Sequence, residues 1–203
     1  MRALVTGFES FGGAASNASY EAVRRLPSRA GNVDIVTAQL PTAYARAGAT
    51  LIGEIRRADP DLVLCVGEAN ERTALNIERV AINVQDARLA DNDGAQPRDM
   101  PVIAGGPAAY FSTLPVRTIY DALIAARLPA TLSNTAGAFV CNHAFYTLMH
   151  FAAESTVKWR GGFLHVPAWR DGQPADAMPA LTLDDIVRGI VITLETSAQI
   201  ITS

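Results

Sequence analysis

The sequence is poor in cysteine, in charge and in long apolar runs, and each scarcity excludes something. Its 203 residues include two cysteines, 17 basic residues and 20 acidic residues. Two cysteines provide no disulfide framework, so we expect both thiols to stay reduced in the cytosol. No basic run interleaved with aromatics is present, which argues against nucleic acid as a partner. No apolar stretch is long enough to cross a bilayer, so we expect no membrane partner either.

The start of the chain also lacks the features of an export signal. Its apolar run from Arg2 to Thr6 is too short for the core of a signal peptide, and Gly7 ends it. Hydrophobic residues make up 49% of the chain and the net charge is −3, which is typical of a globular protein. We therefore predict a single domain over residues 1–203 and a cytoplasmic location.

Short apolar runs alternate with helical patterns along the chain. The predicted strands cover 2–6, 34–39, 61–67, 80–84, 131–134 and 161–167. The predicted helices cover 17–26, 44–57, 116–128, the segment from about 141 onward, and 183–197. The segments 68–77, 86–96 and 169–178 are predicted loops. Strands that alternate with helices predict an α/β fold, a three-layer α/β/α sandwich around a mostly parallel twisted sheet.

The segment Ser133–His150 carries the strongest indication of chemistry. Cys141 falls in or near the first turn of its predicted helix, where free backbone N–H groups and the helix dipole favour a thiolate. A free cysteine is more often simply packed in a core, which is the ordinary alternative. A short apolar strand, Gly161–Pro167, ends in His165, and a cysteine–histidine pair needs only spatial proximity.

Two predicted loops have compositions typical of ligand-binding sites, but neither matches a nucleotide-binding or a calcium-binding motif. The glycine-rich stretch GFESFGG lacks both nucleotide-binding fingerprints, but its Phe8 and Phe11 suit an apolar pocket for a small ligand. A turn with two core aromatics is the alternative. The acidic segment 86–96 lacks the spacing and the distal glutamate of a calcium loop, so we expect no metal.

Other polar residues and the second cysteine have simpler interpretations. Glu78 precedes a predicted strand and could face the cleft, or else pair with Arg79 or be exposed. We expect Cys65, inside an apolar strand, to be a core residue. His143 and His150 fit the helical pattern poorly as partners of Cys141, so we expect both to be structural.

Together these residues resemble the pyroglutamyl peptidase I family of cysteine peptidases, also called pyrrolidone-carboxylate peptidases. Four motifs in order carry the resemblance: VTGFESFGG, ERVAINVQDARLADNDG, SNTAGAFVCNHAFYTLMH and RGGFLHVP. The match runs nearly from end to end. It implies a thiol peptidase that removes an N-terminal pyroglutamyl residue from peptides, works as a homotetramer and needs no cofactor.

The resemblance also implies a role for individual residues. Cys141 is the nucleophile, His165 the general base and acid, and Glu78 the group that orients the imidazole. Arg88 helps to hold the oxyanion. The residues implied to surround the pyrrolidone ring are Phe8, Phe11, Phe139 and Val140.

One motif departs from the family pattern. Where the family has Gly-Gln-Ala-Gly-Gly-Arg, this chain has Gly67-Glu68-Ala69-Asn70-Glu71-Arg72. An ionised carboxylate at Glu68 can only accept hydrogen bonds, whereas the family's amide can also donate. Three hypotheses follow: retained pyroglutamyl specificity with Glu68 accepting the lactam N–H or lying outside the pocket, altered specificity in which Glu68 pairs with a free N-terminal ammonium, or a non-catalytic binding protein.

Overall fold

A central seven-stranded sheet dominates the computed structural model, which describes residues 1–155, 159–169 and 181–201. The strand order is β2-β3-β1-β4-β9-β5-β8. The bounds are β1 Arg2–Phe8, β2 Arg29–Ala30, β3 Val33–Leu40, β4 Leu62–Glu68, β5 Leu75–Glu78, β8 Ala130–Ser133 and β9 Arg160–Val166. Two further strands, β6 Val80–Ile82 and β7 Ala109–Phe111, form a separate antiparallel pair.

Five helices flank this sheet in the described part of the chain. They are α1 Ala18–Val23, α2 Tyr44–Ala58, α3 Val116–Ala125, α4 Val140–Glu154 and α5 Leu183–Ile201. The core residues of α1, α3 and α5 pack against one face, and those of α2 and α4 against the other. This arrangement confirms the predicted three-layer sandwich. None of the helices in the described segments is long and apolar enough to cross a membrane.

Strand β4 shows why the central strands consist of continuous apolar residues. Leu62 and Leu64 belong to the core on one face, whereas Val63 and Cys65 belong to the core on the other. Because side chains alternate across a strand, a strand covered on both faces needs apolar residues at every position. Cys65 is fully buried, which confirms its prediction as a core residue.

The sheet is mostly parallel, with antiparallel pairing between β2 and β3 at one edge and between β9 and β5 inside it. Strands β3, β1, β4 and β9 pair in parallel, β5 pairs antiparallel with β9, and β8 is parallel to β5. The prediction of a loop over 68–77 is wrong at its end, since β5 begins at Leu75. The sequence pattern did not predict this strand because Asn76 and Glu78 are polar, although all four of its residues are buried.

The helix ends differ from the predictions by a few residues. Helix α1 begins at Ala18 and is capped by Asn17, whose side chain accepts the N–H of Ser19. Helix α3 ends at Ala125 instead of near 128, and Arg127 beyond it has a left-handed φ of 60°. At the start of α5, Thr182 and Asp185 bond each other reciprocally, as in a capping box. Most of the predicted loop 169–178 lies outside the described residues.

His143 lies where α4 packs on α2. Its Nδ1 is 3.1 Å from Oε1 of Gln85, and its ring meets the edge of Tyr44. Burial lowers the pKa of His143 to about 4. The position agrees with the predicted structural role.

Replacing His143 should make the protein less sensitive to acid. The unfolded state takes up a proton near pH 6.5, whereas the folded state resists it until about pH 4, so wild-type stability falls as the pH drops through this window. We expect His143→Gln to remove about 3 kcal/mol of this loss. Urea unfolding at several pH values measures it, and parallel curves for the two proteins would contradict it.

Candidate active site

The carboxyl ends of β1, β4 and β9 meet at one edge of the sheet, where open α/β folds bind ligands. A cavity of about 440 Å³ opens there. Every residue that the sequence and its family resemblance assign to the site, except Glu78, lines this cavity: Phe8, Phe11, Glu68, Arg88, Phe139, Val140, Cys141 and His165. The fold therefore gathers residues from positions 8 to 165 at one place.

Gly67 is the point at which the predicted nucleophile and base meet. It pairs with His165 across β4 and β9. Cys141, the second residue of α4, packs over it, since a Cβ built on Gly67 would lie 2.9 Å from the Cys141 sulfur. The same Cβ would lie 2.7 Å from the ring of Phe163. Only glycine lets the sulfur lie this close to the strand that is paired with His165.

Glu78 binds the imidazole of His165 through Nδ1. Its Oε1 is 2.8 Å from Nδ1 of His165, and both side chains are almost completely buried. Glu78 pairs with Phe163 on β9, so it reaches His165 as the diagonal neighbour on the same face. An ionised carboxylate can only accept, so Nδ1 carries the proton and Nε2 keeps its lone pair. The imidazole is thereby prepared to act as a base.

Arg72 is a further member of this group that the sequence reasoning missed. Its Nη1 donates to Oε1 of Glu78 at 2.7 Å, and its Nη2 donates to the carbonyl of Thr135 at 2.9 Å. The only signal in the sequence was its place in the motif that follows β4. Neither the pairing with Glu78 nor the contact with Thr135 follows from spacing.

Burial sets the protonation states of the pair. It raises the pKa of Cys141 to about 12, an effect that the negative charge of Glu78 reinforces. Burial also lowers the pKa of His165, against the opposing effect of Glu78. The direction for Cys141 is opposite to the lowered thiol pKa expected from the helix N-terminus, because burial disfavours the charged thiolate. Both directions favour the neutral forms of the thiol and the imidazole.

Asn142 fixes the start of α4 next to the nucleophile. Its fully buried amide donates to the carbonyls of Ile82 and Val84 at 2.9 and 3.0 Å and accepts the N–H of Ile82 at 3.0 Å. Phe139, the N-cap residue of α4, makes no side-chain cap. Asn142 thus anchors the first turn while its N–H groups stay available to the cavity.

Aromatic rings form the apolar wall of the cavity. Phe11 and Phe139 lie 5.9 Å apart between ring centroids, and Phe139 also meets Tyr44 edge-on at 5.6 Å. Phe8 is buried and packs on Phe163. The structure thus brings together the aromatic residues that the family resemblance implied.

Glu68 and Arg88 line the cavity in different environments. Glu68 is half-buried, its Oε2 accepts the N–H of Ala18, and burial raises its pKa. The side chain of Arg88 is 88% exposed, and its Nη2 lies 3.6 Å from Glu71. The positive charge of Arg88 is therefore near the opening rather than within the wall.

Comparisons with known proteins agree with this geometry. A sequence profile described as pyroglutamyl peptidase matches residues 1–200. The chain belongs to the pyroglutamyl peptidase family. It is 48% identical to pyrrolidone-carboxylate peptidase 1 of Ralstonia nicotianae over 97% of this chain and 92% of that protein. It is 40% identical to the pyrrolidone-carboxylate peptidase of Alkaliphilus oremlandii over 98% of this chain and 94% of that protein.

Solved structures of the family show the same fold. The pyroglutamyl peptidase I of Bacillus amyloliquefaciens superposes with a TM-score of 0.92 at 40% identity, covering 98% of this chain and 97% of that one. The pyrrolidone carboxyl peptidase of Thermococcus litoralis gives 0.93 at 31% identity, covering 99% and 94%. These likenesses confirm the predicted family and fold class.

Adding a single methyl group at Gly67 should impair the site. We expect Gly67→Ala to reduce kcat/KM by roughly 100-fold, since displacing the sulfur by about 1 Å is enough for such a loss. Gly53→Ala is the matched control, because a Cβ at this exposed position of α2 meets nothing within 4 Å. The control should keep its activity and gain about 1 kcal/mol of stability. Equal activity of the two variants would contradict the close approach.

Neutralising Glu68 should stabilise the protein at neutral pH. Its raised pKa means that the folded state disfavours the ionised form, so the wild type loses stability as the pH rises through that pKa. Glu68→Gln keeps an acceptor for Ala18 without the charge. We expect its Tm to exceed that of the wild type at pH 7 and the difference to vanish near pH 4. Glu71→Gln, at an exposed carboxylate, should show no such pH dependence.

Proposed function

We propose that the chain hydrolyses the amide bond after an N-terminal pyroglutamyl residue, with Cys141 as nucleophile, His165 as general base and acid, and Glu78 as the group that orients His165. One observation carries these roles. The Cys141 sulfur packs on Gly67, the strand partner of His165, and Nδ1 of that imidazole is bound to Glu78. Family membership supports the reaction, and this geometry supports the proposed residue roles.

Acylation follows from the neutral resting pair. Nε2 of His165 takes the thiol proton as the sulfur attacks the scissile carbonyl, and a carbon–sulfur bond forms. The imidazolium then gives that proton to the leaving amine as the carbon–nitrogen bond breaks. Glu78 stabilises the imidazolium through Nδ1 in the meantime. The products of this half-reaction are a thioester on Cys141 and the shortened peptide.

Deacylation reverses the proton path. His165 takes a proton from water, and the hydroxide attacks the thioester carbonyl. The carbon–sulfur bond breaks, pyroglutamate leaves as its acid, and the proton on His165 returns to Cys141. One water is consumed per turnover.

Positive charge near the oxyanion supports both steps. The first-turn N–H groups of α4 lie beside Cys141, where Phe139 supplies no side-chain cap. Arg88 lines the same cavity, with its charge near the opening. Removing one donor from such a site costs about 3 kcal/mol in other enzymes. We assign the oxyanion site to these groups.

The apolar wall suits a neutral lactam better than an ammonium. Phe8, Phe11, Phe139 and Val140 line the cavity, so a compact uncharged ring finds apolar contact there. Glu68 is already bonded to the N–H of Ala18, and burial raises its pKa, which makes it a poor partner for a free N-terminal ammonium. Altered specificity is therefore disfavoured. The juxtaposed Cys141, His165 and Glu78 disfavour a non-catalytic binding protein.

Oligomeric state and location remain predictions. The homotetramer and the cytoplasmic location come from the family resemblance and from composition. Size-exclusion chromatography with light scattering tests the former.

A three-substrate assay tests the proposed activity. We expect release of a fluorogenic amine from its pyroglutamyl amide, and none from the matching free-amine glutamyl or prolyl amides. Cys141→Ala should lose roughly 10⁴-fold or more in kcat, because the step that forms the thioester is removed. Circular dichroism confirms that the variant is folded.

The assay separates the three hypotheses. Cleavage of a free-amine substrate in place of the pyroglutamyl one would favour altered specificity. Undiminished activity in Cys141→Ala would overturn the assignment of the nucleophile, and absence of activity on all three substrates would favour a binding protein.

A further inference from the structure

We propose that Arg72 is a positioning residue for this reaction, which holds the Glu78 carboxylate against His165 and anchors the loop that leads to Cys141. The inference rests on the proposed function, because it assigns Arg72 a task in the same site. Arg72 also lines the cavity, and the proposal has it act through Glu78 and Thr135 rather than on the reacting atoms.

Three observations place Arg72 between the two halves of the site. Its Nη1 donates to Oε1 of Glu78 at 2.7 Å, and its Nη2 donates to the Thr135 carbonyl at 2.9 Å. Thr135 lies in the loop between β8 and α4, ahead of Cys141. The backbone N–H of Arg72 bonds the carbonyl of Ala69, which fixes the turn that carries it. One planar side chain therefore ties the orienting carboxylate to the segment that presents the nucleophile.

Glu78 depends on Arg72 for more than one hydrogen bond. The Glu78 side chain is fully buried, and among the described residues its Oε2 has no hydrogen-bond partner. His165 and Arg72 both bond Oε1, so Arg72 supplies the cation that faces this carboxylate. A buried carboxylate with one free oxygen could rotate away from Nδ1 unless a second donor holds it. The fork of Arg72 provides that donor in a fixed plane.

The charge of Arg72 also acts on the acid and base. Burial is the largest influence on the pKa of both Cys141 and His165, and the Arg72 cation lowers the pKa of each. Several elements supply the ionisable and charged groups around these two side chains. They are Glu78 of β5, Arg72 of the loop after β4, Cys65 and Glu68 of β4, and three residues that line the cavity, Glu71, Asp86 and Arg88. Of these, Arg72 alone bonds the carboxylate that His165 uses.

Two substitutions separate the effect of the positive charge of Arg72 from the effect of its planar pair of N–H donors. Arg72→Gln keeps one donor for Glu78 and removes the charge. We expect the acid limb of the pH profile of kcat/KM to rise by about one pH unit, because loss of a nearby cation makes His165 easier to protonate. Arg72→Lys keeps the charge, but an ammonium does not reproduce the planar fork. Its acid limb should stay at the wild-type pH, with kcat/KM about 10- to 100-fold lower because the loop is no longer anchored.

Two further measurements exclude a merely structural role. Arg24→Gln removes one positive charge from an ion pair on the surface of α1, and it should leave both the rate and the acid limb unchanged. The chain has three histidines, so NMR titration can follow His165 directly, with His143→Gln and His150→Gln used for assignment. The His165 resonance in Arg72→Gln should titrate about one pH unit higher than in the wild type, by the same loss of a nearby cation.

The results of these experiments test the role of Arg72 separately from the proposed hydrolytic function. A lower Tm for Arg72→Gln without movement of the acid limb or of the His165 titration would overturn it. So would wild-type kcat/KM in Arg72→Lys. Persistent activity of Cys141→Ala would overturn the assigned nucleophile instead, and the His165 titration would still report whether Arg72 acts on the imidazole.

Discussion

The active site depends on one buried carboxylate, Glu78, and on the donors that satisfy it. A carboxylate with no exposure to water is stable only when it is paired and hydrogen-bonded. Here the partners are His165 and Arg72, both on Oε1. The Nδ1 atom of His165 is therefore bound to Glu78, which leaves Nε2 available. Arg72 in turn also bonds Thr135 in the loop that leads into α4. In the proposed mechanism, Glu78 thus contributes both to the orientation of the base and to the placement of the nucleophile.

Burial explains why the catalytic pair is poised without being ionised. Desolvation shifts the pKa of the thiol up and that of the imidazole down, so the neutral forms of Cys141 and His165 coexist. The proton then moves only when charge develops on the substrate, where the helix N-terminus and Arg88 can stabilise it. In the proposed mechanism, the helix N-terminus and Arg88 therefore act on the developing charge rather than on a resting thiolate.

The sequence predicted the parts of the fold whose signals are local. Apolar runs marked β1, β4 and β9, helical periodicity marked α2 and α4, and four motifs marked the family and most of the cavity. The failures involve contacts between distant residues. Strand β5 was not predicted because it contains the polar residues Asn76 and Glu78, whose burial depends on partners from other elements. Arg72 was overlooked because nothing in its neighbours along the chain indicates Thr135, 63 residues away.

The reversed direction of β5 accounts for how these contacts arise. Strand β4 ends at the catalytic edge with Glu68, and β5, which runs antiparallel to β9, begins at that same edge with Leu75. The connection between them therefore stays at the cavity and places Arg72 over it. The carboxyl end of β5 meanwhile points away from the edge, so Glu78 pairs with Phe163 below His165 and out of water. In a parallel strand the carboxyl end would lie at the catalytic edge, closer to solvent. The reversal between β9 and β5 thus allows Glu78 to be buried while Arg72, which pairs with it, enters from the side of the cavity.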